Sequence, residues 1–255
     1  MTKKRVVENI AAPLVGLAAF IGIWYAVSAA IGVSIILPSP TETLIGFFAL
    51  LRQGSFYLAL WHTLSRTIVS FLIAFVTASI FALLSKISVF FKRAFAPFIV
   101  ILRVLPTISV ILLVLIWFKS GTAPYVITFI VIFPMLYKVI VDATENVDQR
   151  LVEMGQVYGF SWQKRFLHIY LPQMTPSILT GIGITLSFSV KLTVAAEVLA
   201  SARESMGRYM QQASAYIETA TLLAWTLAAI LLGFFLEGLV LLVRKLLVRR
   251  YYGNR

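Results

Sequence analysis

The chain has 255 residues, of which 60% are hydrophobic and only 13% charged, whereas a soluble domain carries about a quarter charged residues. That balance excludes an ordinary soluble fold, and the lack of cysteine excludes disulfides, thiolate metal sites and cysteine nucleophiles. The net charge of +12 excludes less, because its distribution follows membrane topology and needs no nucleic-acid partner.

A helix crossing about 30 Å of hydrocarbon needs roughly 20 mostly apolar residues. Six stretches qualify, at about 10–32, 62–85, 94–118, 122–141, 174–199 and 219–243. They occupy most of residues 1–255, so the expectation is an all-α integral membrane protein with one transmembrane domain and no separate soluble domain. The basic start MTKKR precedes an apolar run that continues without charge from Ile10 to Leu37. That run is too long for a signal-peptide core, and the segment reads as a retained first span.

After the first span, Pro38 and Pro40 stop the helix, and Ser39 or Thr41 can cap a new one. Thr43–Leu51 then gives one or two apolar turns along the outer membrane surface. The second span, TLSRTIVSFLIAFVTASIFALLS, is rich in Ala, Ser and Thr and is expected to face other helices. The third span contains Pro97, Arg103 and Pro106, the fourth Pro124 and Pro134, and both are expected to kink.

From residue 142 to 171 the chain turns polar. Asp148 to Tyr158 suits a helix, Gly159 suits its left-handed end, and Ser161 offers a cap for a second helix. Trp162, Phe166 and Ile169 would form the apolar face of that second helix, with Lys164, Arg165 and His168 on the wetter side. Leu171-Pro172 is expected to end it before the fifth span. The residues alone are also compatible with two amphipathic helices resting on the inner leaflet.

Charge sets the orientation. With the N-terminus inside, the inner positions hold Lys3, Lys4, Arg5, Lys86, Lys92, Arg93, Lys138, Arg150, Lys164, Arg165, Arg244, Lys245, Arg249, Arg250 and Arg255. The outer loops hold Arg52, Lys119, Arg203 and Arg208, so the balance is 15 against 4. This is the positive-inside pattern, with both termini cytoplasmic. Arg66, Arg103, Lys191 and Glu197 stay within spans, where charges usually face a bundle interior or water. Lys191, with Arg66 or Arg103, would favour an anionic substrate in a pathway. Structural pairing, for instance of Arg66 or Lys191 with Glu197 across helices, is the competing reading.

Within the inner segment, Glu153-Met154-Gly155, then Gly159, then Ile169-Tyr170-Leu171-Pro172 resembles the EAA loop of ABC importer permeases, E-A-A-x3-G-x9-I-x-L-P. Glu153, Gly159, Ile169, Leu171 and Pro172 match, and Met154 and Gly155 stand at the two alanine positions. The stretches LPSP, HTLSRTIVSFLIAF, ILRVLPTISVILLVLIWFKSG and VAAEVLASARESMG look like the permeases that import nitrate, sulfonates, taurine and related small molecules. Ser205-Met206-Gly207 stands where that group usually has Gly-Leu-Gly.

The resemblance implies a type I ABC importer permease fold in a bacterial inner (cytoplasmic) membrane. It implies a homodimer whose translocation path is lined by spans two to five, and an extracytoplasmic binding protein that delivers a small solute. The inner segment would be the coupling element: Glu153, Met154, Gly155, Gly159, Ile169, Leu171 and Pro172 would dock one of two cytoplasmic ATPase subunits. ATP and Mg would sit on those subunits, leaving this chain without cofactor or metal. An enzyme reading is weak, because His62 and His168 fall on opposite sides of the membrane and no phosphate-binding loop is present. The alternative from another class is an ion-driven carrier or channel working alone. It requires carboxylates near the midplane, and Glu197 lies too near the outer end.

Overall fold

The computed structural model describes residues 3–252, with side chains over residues 11–247; the side chains of Lys3, Lys4, Arg5, Arg249 and Arg250, and all of Arg255, lie outside the described part. Among the described residues there is no strand. Eleven helices follow in order: α1 Lys3–Ile31, α2 Pro40–Leu50, α3 Gly54–Ile87, α4 Val89–Val104, α5 Thr107–Trp117, α6 Ala123–Glu145, α7 Gln149–Val157, α8 Trp162–Arg165, α9 Leu171–Ala200, α10 Met206–Ala215 and α11 Thr219–Tyr252. A π turn, Phe166–Tyr170, joins α8 to α9.

The core is the packing of α3, α6, α9 and α11. Along α3 the small buried residues are Ala59, Thr63, Thr67, Ser70, Ala74, Ala78, Ala82 and Ser85, with Phe56, Arg66 and Phe71 buried among them. They recur every three or four residues, so they form one seam of small side chains. Small residues let helix backbones approach, and this seam packs on α6. The opposite face of α3, with Leu72, Ile73, Val76, Ile80 and Leu83, is exposed and suits lipid or another chain. Helix α6 is enclosed on more of its surface than the other spans. Thr128 on α6 and Thr193 on α9 are buried and hydrogen-bond at 3.0 Å, satisfying both hydroxyls.

Helix α1 stands apart from that core, with none of its apolar stretch buried. It is tied to the next segment by Trp24 Nε1 donating to the Pro38 carbonyl at 3.0 Å and Ser28 Oγ to the Leu37 carbonyl at 3.0 Å. Ser39 takes the cap of α2: its hydroxyl accepts from Glu42 N–H, and Glu42 reaches back to Ser39 N–H. That reciprocal pair is a capping box with Pro40 in the first turn. The helix does not merely lie on a membrane surface, because Thr43 and Leu50 are buried and a Cβ on Gly46 would stand 3.4 Å from Ala224 of α11.

Three expectations need correction. The stretch 94–118 is bent far more sharply than a kink: α4 and α5 meet at 97°. Pro106 cannot donate to the preceding turn, and it forces Leu105 into an extended conformation (φ −55°, ψ 127°). Pro97, by contrast, sits inside α4 without breaking it. Pro124 does not kink its span either; it lies in the first turn of α6, where a missing N–H costs nothing. Finally, Leu171-Pro172 does not end the inner helix, since residues 162–200 run continuously. The π turn makes this permissible. Leu171 N–H bonds to the Phe166 carbonyl, one residue further back than in an α-helix, and the widened turn accommodates the ring of Pro172.

Candidate functional site

Two places carry the candidate residues: the inner segment 148–172, and the charged groups of the spans.

The inner segment is built by local rules. Asp148 caps α7 through Arg150 N–H, and its own N–H donates to Gln173 Oε1 at 2.9 Å, tying the start of α7 to α9. The other end closes as a Schellman motif: Phe160 N–H bonds Gly155 O at 2.8 Å and Gly159 N–H bonds Gln156 O at 2.9 Å. Gly159 has φ +69°, a conformation that side chains strongly disfavour. Ser161 then caps α8 by accepting from Lys164 N–H.

The seven coupling candidates divide into two sets. Glu153 and Met154 are exposed, on the outward side of α7. Gly155 and Ile169 are buried against each other: a Cβ on Gly155 would fall 2.8 Å from Ile169 Cδ1 and 3.4 Å from Arg165 Cγ. Gly155 therefore seats α7 on the π turn of its own chain. Ile169 joins Val152, Tyr170 and Met174 in a small separate core under α7. Gly159 sets the turn, and Leu171 and Pro172 stand where the segment passes into α9.

The apolar face expected from Trp162, Phe166 and Ile169 is not a single face. Only Ile169 is buried, while Trp162 and Phe166 are exposed. The π turn adds a residue to the helical repeat, so positions seven apart no longer align. Sequence reasoning also passed over Val157 and Tyr158, which are 85% and 73% exposed at the tip of α7. Met154 and Trp162 nearby in sequence are exposed as well. The available signal was two large apolar residues directly before the turn glycine, where a free-standing helix would be polar.

At the opposite end, Arg66 of α3 and Glu197 of α9 meet. Arg66 Nη1 donates to Glu197 Oε1 at 2.8 Å, and Thr63 Oγ1 donates to Glu197 Oε2 at 2.8 Å. Two backbone groups at the start of α10 complete the cluster: Gly207 N–H donates to Glu197 Oε2 at 3.2 Å, and Met206 N–H to Thr63 Oγ1 at 3.1 Å. Arg66 Nη2 reaches the Arg203 carbonyl at 3.3 Å. The pair is buried, and its hydrogen bonds offset the desolvation of both charges. Gly207 is required by contact, since a Cβ there would lie 2.7 Å from both Val194 O and Val198 N. The departure Ser205-Met206-Gly207 thus keeps the glycine that the packing needs, and Ser205 caps α10 through Arg208 N–H.

The remaining span charges lie elsewhere. Lys191 lines a cavity of about 650 Å³ between α9, α10 and α11, together with Glu237. Arg103 lines a separate pocket of about 230 Å³ with Lys138 and Gly181. Lys191 and Glu197 are on different sides of α9, as a six-residue spacing dictates. Glu237 is the group that sequence reading overlooked. It lies within a helix of 34 residues, in LLGFFLEGLVLLV, and its signal was a lone acid in a 13-residue apolar run.

Residues 70–251 match the family described as the binding-protein-dependent transport system inner membrane component. The chain is 27% identical over 238 residues to the taurine transport system permease protein TauC of Escherichia coli (strain K12), covering 90% of this chain and 86% of that one. It is 29% identical over 149 residues to the nitrate import permease protein NrtB of Leptolyngbya laminosa, covering 58% of this chain and 53% of that protein. The fold is similar to a chain in the crystal structure of a bacterial ABC transporter involved in the import of the acidic polysaccharide alginate. That likeness has a TM-score of 0.61 at 18% identity, over 97% of this chain and 99% of the other.

Proposed function

The chain belongs to the family of binding-protein-dependent transport system inner membrane components, and on that premise we propose how its inner segment couples ATP hydrolysis to solute movement. It is a multi-pass membrane protein, the permease subunit of an ABC importer, a family that works with ATPase and binding-protein partners. The alternative of an ion-driven carrier acting alone is set aside by that membership.

The observation that carries the mechanism is the fastening of α7 to α9. Gly155 lets α7 sit on Ile169, Asp148 bonds Gln173, and α8 continues into α9 without a break. Force applied to the exposed side of α7 is therefore transmitted to a helix that runs through the core. Glu153, Met154, Val157 and Tyr158 form the surface that enters a cleft of the ATPase. Gly155, Gly159, Ile169, Leu171 and Pro172 hold the shape of that surface and pass its movement to the span. Closure of two ATPase subunits on ATP and Mg, neither held by this chain, tilts the spans as rigid bodies between two access states.

Two copies of this chain form the path, using apolar faces such as that of α3 which the monomer leaves uncovered. A binding protein outside delivers a small solute of the nitrate, sulfonate and taurine class or a related one. Lys191 and Arg103 bring positive charge to the path, while Arg66 and Glu197 act from behind it by fixing the start of α10. The chain itself performs no catalysis, and it resides in a bacterial inner membrane.

The test is reconstitution with the cognate ATPase, comparing wild type with Gly159→Pro and Glu153→Lys. Proline cannot adopt φ +69° and removes the N–H that bonds Gln156. Co-purification or transport-coupled ATPase activity is expected to fall at least about tenfold, the scale of roughly 1.4 kcal/mol of lost coupling. Full coupling in both variants would return the segment to a surface-resting helix pair.

A further inference from the structure

At the end of the bundle where α6 stops and α9 begins, the helices α3, α4 and α6 enclose a pocket of about 200 Å³, whose lining includes Ser85, Lys86, Val89, Lys92, Thr144 and Glu145. Its hydroxyls are already engaged. Ser85 Oγ bonds the Tyr137 hydroxyl at 2.7 Å, and Thr144 Oγ1 donates to the Val141 carbonyl at 2.7 Å. Lys92 pairs with Glu145. Lys86 has no carboxylate partner among the described residues; its ammonium stands over the ring of Tyr170, 5.7 Å from the centroid. Two ammonium groups therefore share one carboxylate, and the pocket holds one positive charge in excess.

Position along the span limits what reaches this pocket. Between Arg66 and Lys86 the 19 residues 67–85 of α3 carry no charge. At about 1.5 Å per residue they cover about 28 Å, close to the roughly 30 Å of a bilayer's hydrocarbon. Lys86 is thus the first charge where α3 leaves hydrocarbon, at the level of the lipid headgroups. The turn into α4 is apolar and uncovered at that level: Ile87 is 74%, Val89 63% and Phe90 83% exposed, and exposed Arg93 follows in α4. Val89 belongs both to the pocket wall and to this exposed turn, so the rim of the pocket continues into surface that suits acyl chains. The pocket is also smaller than the range of about 300–1,000 Å³ typical of sites that enclose a whole small molecule. It suits a charged headgroup whose remainder lies outside.

We propose that this pocket binds the phosphate of an anionic phospholipid. Lys86 is its principal partner, Lys92 is a second held in place by Glu145, and the acyl chains lie against Val89 and Phe90. Basic pockets between spans recognise anionic headgroups in this way. A phosphodiester brings one negative charge, equal to the excess in the pocket. A choline headgroup carries a cation beside its phosphate and leaves that excess unneutralised. The site is separate from the cavity that Lys191 lines and takes no part in binding the transported solute. Tyr170, buried in the small core under α7, is the ring on which Lys86 rests, so the lipid site adjoins the inner segment.

The experiment is native mass spectrometry of the full-length chain released from detergent micelles, titrated with phosphatidylglycerol or with phosphatidylcholine of the same acyl chains. Wild type is expected to bind phosphatidylglycerol at least about fivefold more tightly, the scale of one basic group at an anionic surface. Lys86→Ala should abolish that preference, and Lys86→Arg should keep it. Glu145→Gln removes the carboxylate that competes for Lys92 and should strengthen the preference severalfold, a gain that misfolding cannot produce. Arg52→Ala, which deletes an exposed charge just before the far end of α3, should leave it unchanged. Equal binding of the two lipids by wild type would overturn the assignment. So would a preference that survives Lys86→Ala, an equal loss in Arg52→Ala, or a weaker preference in Glu145→Gln. Glycerol phosphate at the concentration of the lipid should not displace it; displacement would make this a site for a soluble phosphate and would overturn the lipid assignment.

Discussion

The two ends of this molecule handle polar groups in opposite ways. At the outer end, Arg66, Glu197, Thr63 and the first N–H groups of α10 satisfy one another inside a buried cluster. At the inner end, Arg165 Nε and Gln173 Nε2 are buried without a hydrogen-bond partner among the described residues. Beside them Met154, Val157, Tyr158 and Trp162 project unburied. A closed polar network makes the outer end self-sufficient. The exposed apolar side chains, not the buried donors, are the feature that supports the docking proposed for this segment. On the coupling mechanism proposed above, stability and coupling are concentrated at different ends, and substitutions should separate them.

The largest effect is expected from Arg66→Met, which strands the Glu197 carboxylate in the core. Removing one partner of a buried pair costs about 3–5 kcal/mol, read as a large drop in thermal midpoint in detergent. Replacing both, as Arg66→Met with Glu197→Gln, should recover part of that loss. If the single and double variants were equally unstable, the cluster would matter for its backbone bonds rather than for the ion pair.

Gly207→Ala comes next. Its Cβ would meet backbone atoms at 2.7 Å, and backbone does not yield as a side-chain tip does, so about 2–3 kcal/mol is expected from overpacking. Gly155→Ala has the smallest expected cost in stability, about 1 kcal/mol, because the first atom met is the terminal methyl of Ile169. It should instead shift α7 and reduce coupled ATPase activity severalfold at nearly unchanged thermal stability. A reversal of the order of the two glycine variants in melting measurements would erase the distinction between the ends.

Much of the local structure of the candidate segment was legible because its signals are local. Gly159 as a left-handed helix end, Ser161 as a cap, and the choice of Ser39 or Thr41 before α2 follow from the hydrogen-bonding needs of helix ends. The richness of the second span in Ala, Ser and Thr correctly announced a helix-facing seam. The break at Pro106 was harder. Pro97 and Pro106 carry the same chemistry, yet only the second separates two helices, and surrounding packing decides which proline bends and which breaks. Gly155 illustrates the same limit from the other side: its smallness was legible, but the neighbour that required it was not. Glu237 was legible and overlooked, because a single acid in an apolar run gives no indication of what it faces.

By itself, the sequence determined that the chain is a helical membrane protein with a structured segment between its fourth and fifth apolar stretches, and its charge asymmetry supplies the expected orientation. These depend on hydropathy, charge asymmetry and turn chemistry, all of which act over a few residues at a time. Only the tertiary structure decided that Arg66 belongs to Glu197, that Gly155 faces its own π turn, and that Lys191 and Glu237 open on one cavity. Those pairings join residues 131, 14 and 46 positions apart, and helix packing alone sets which of the many charges and gaps along such spans come into register.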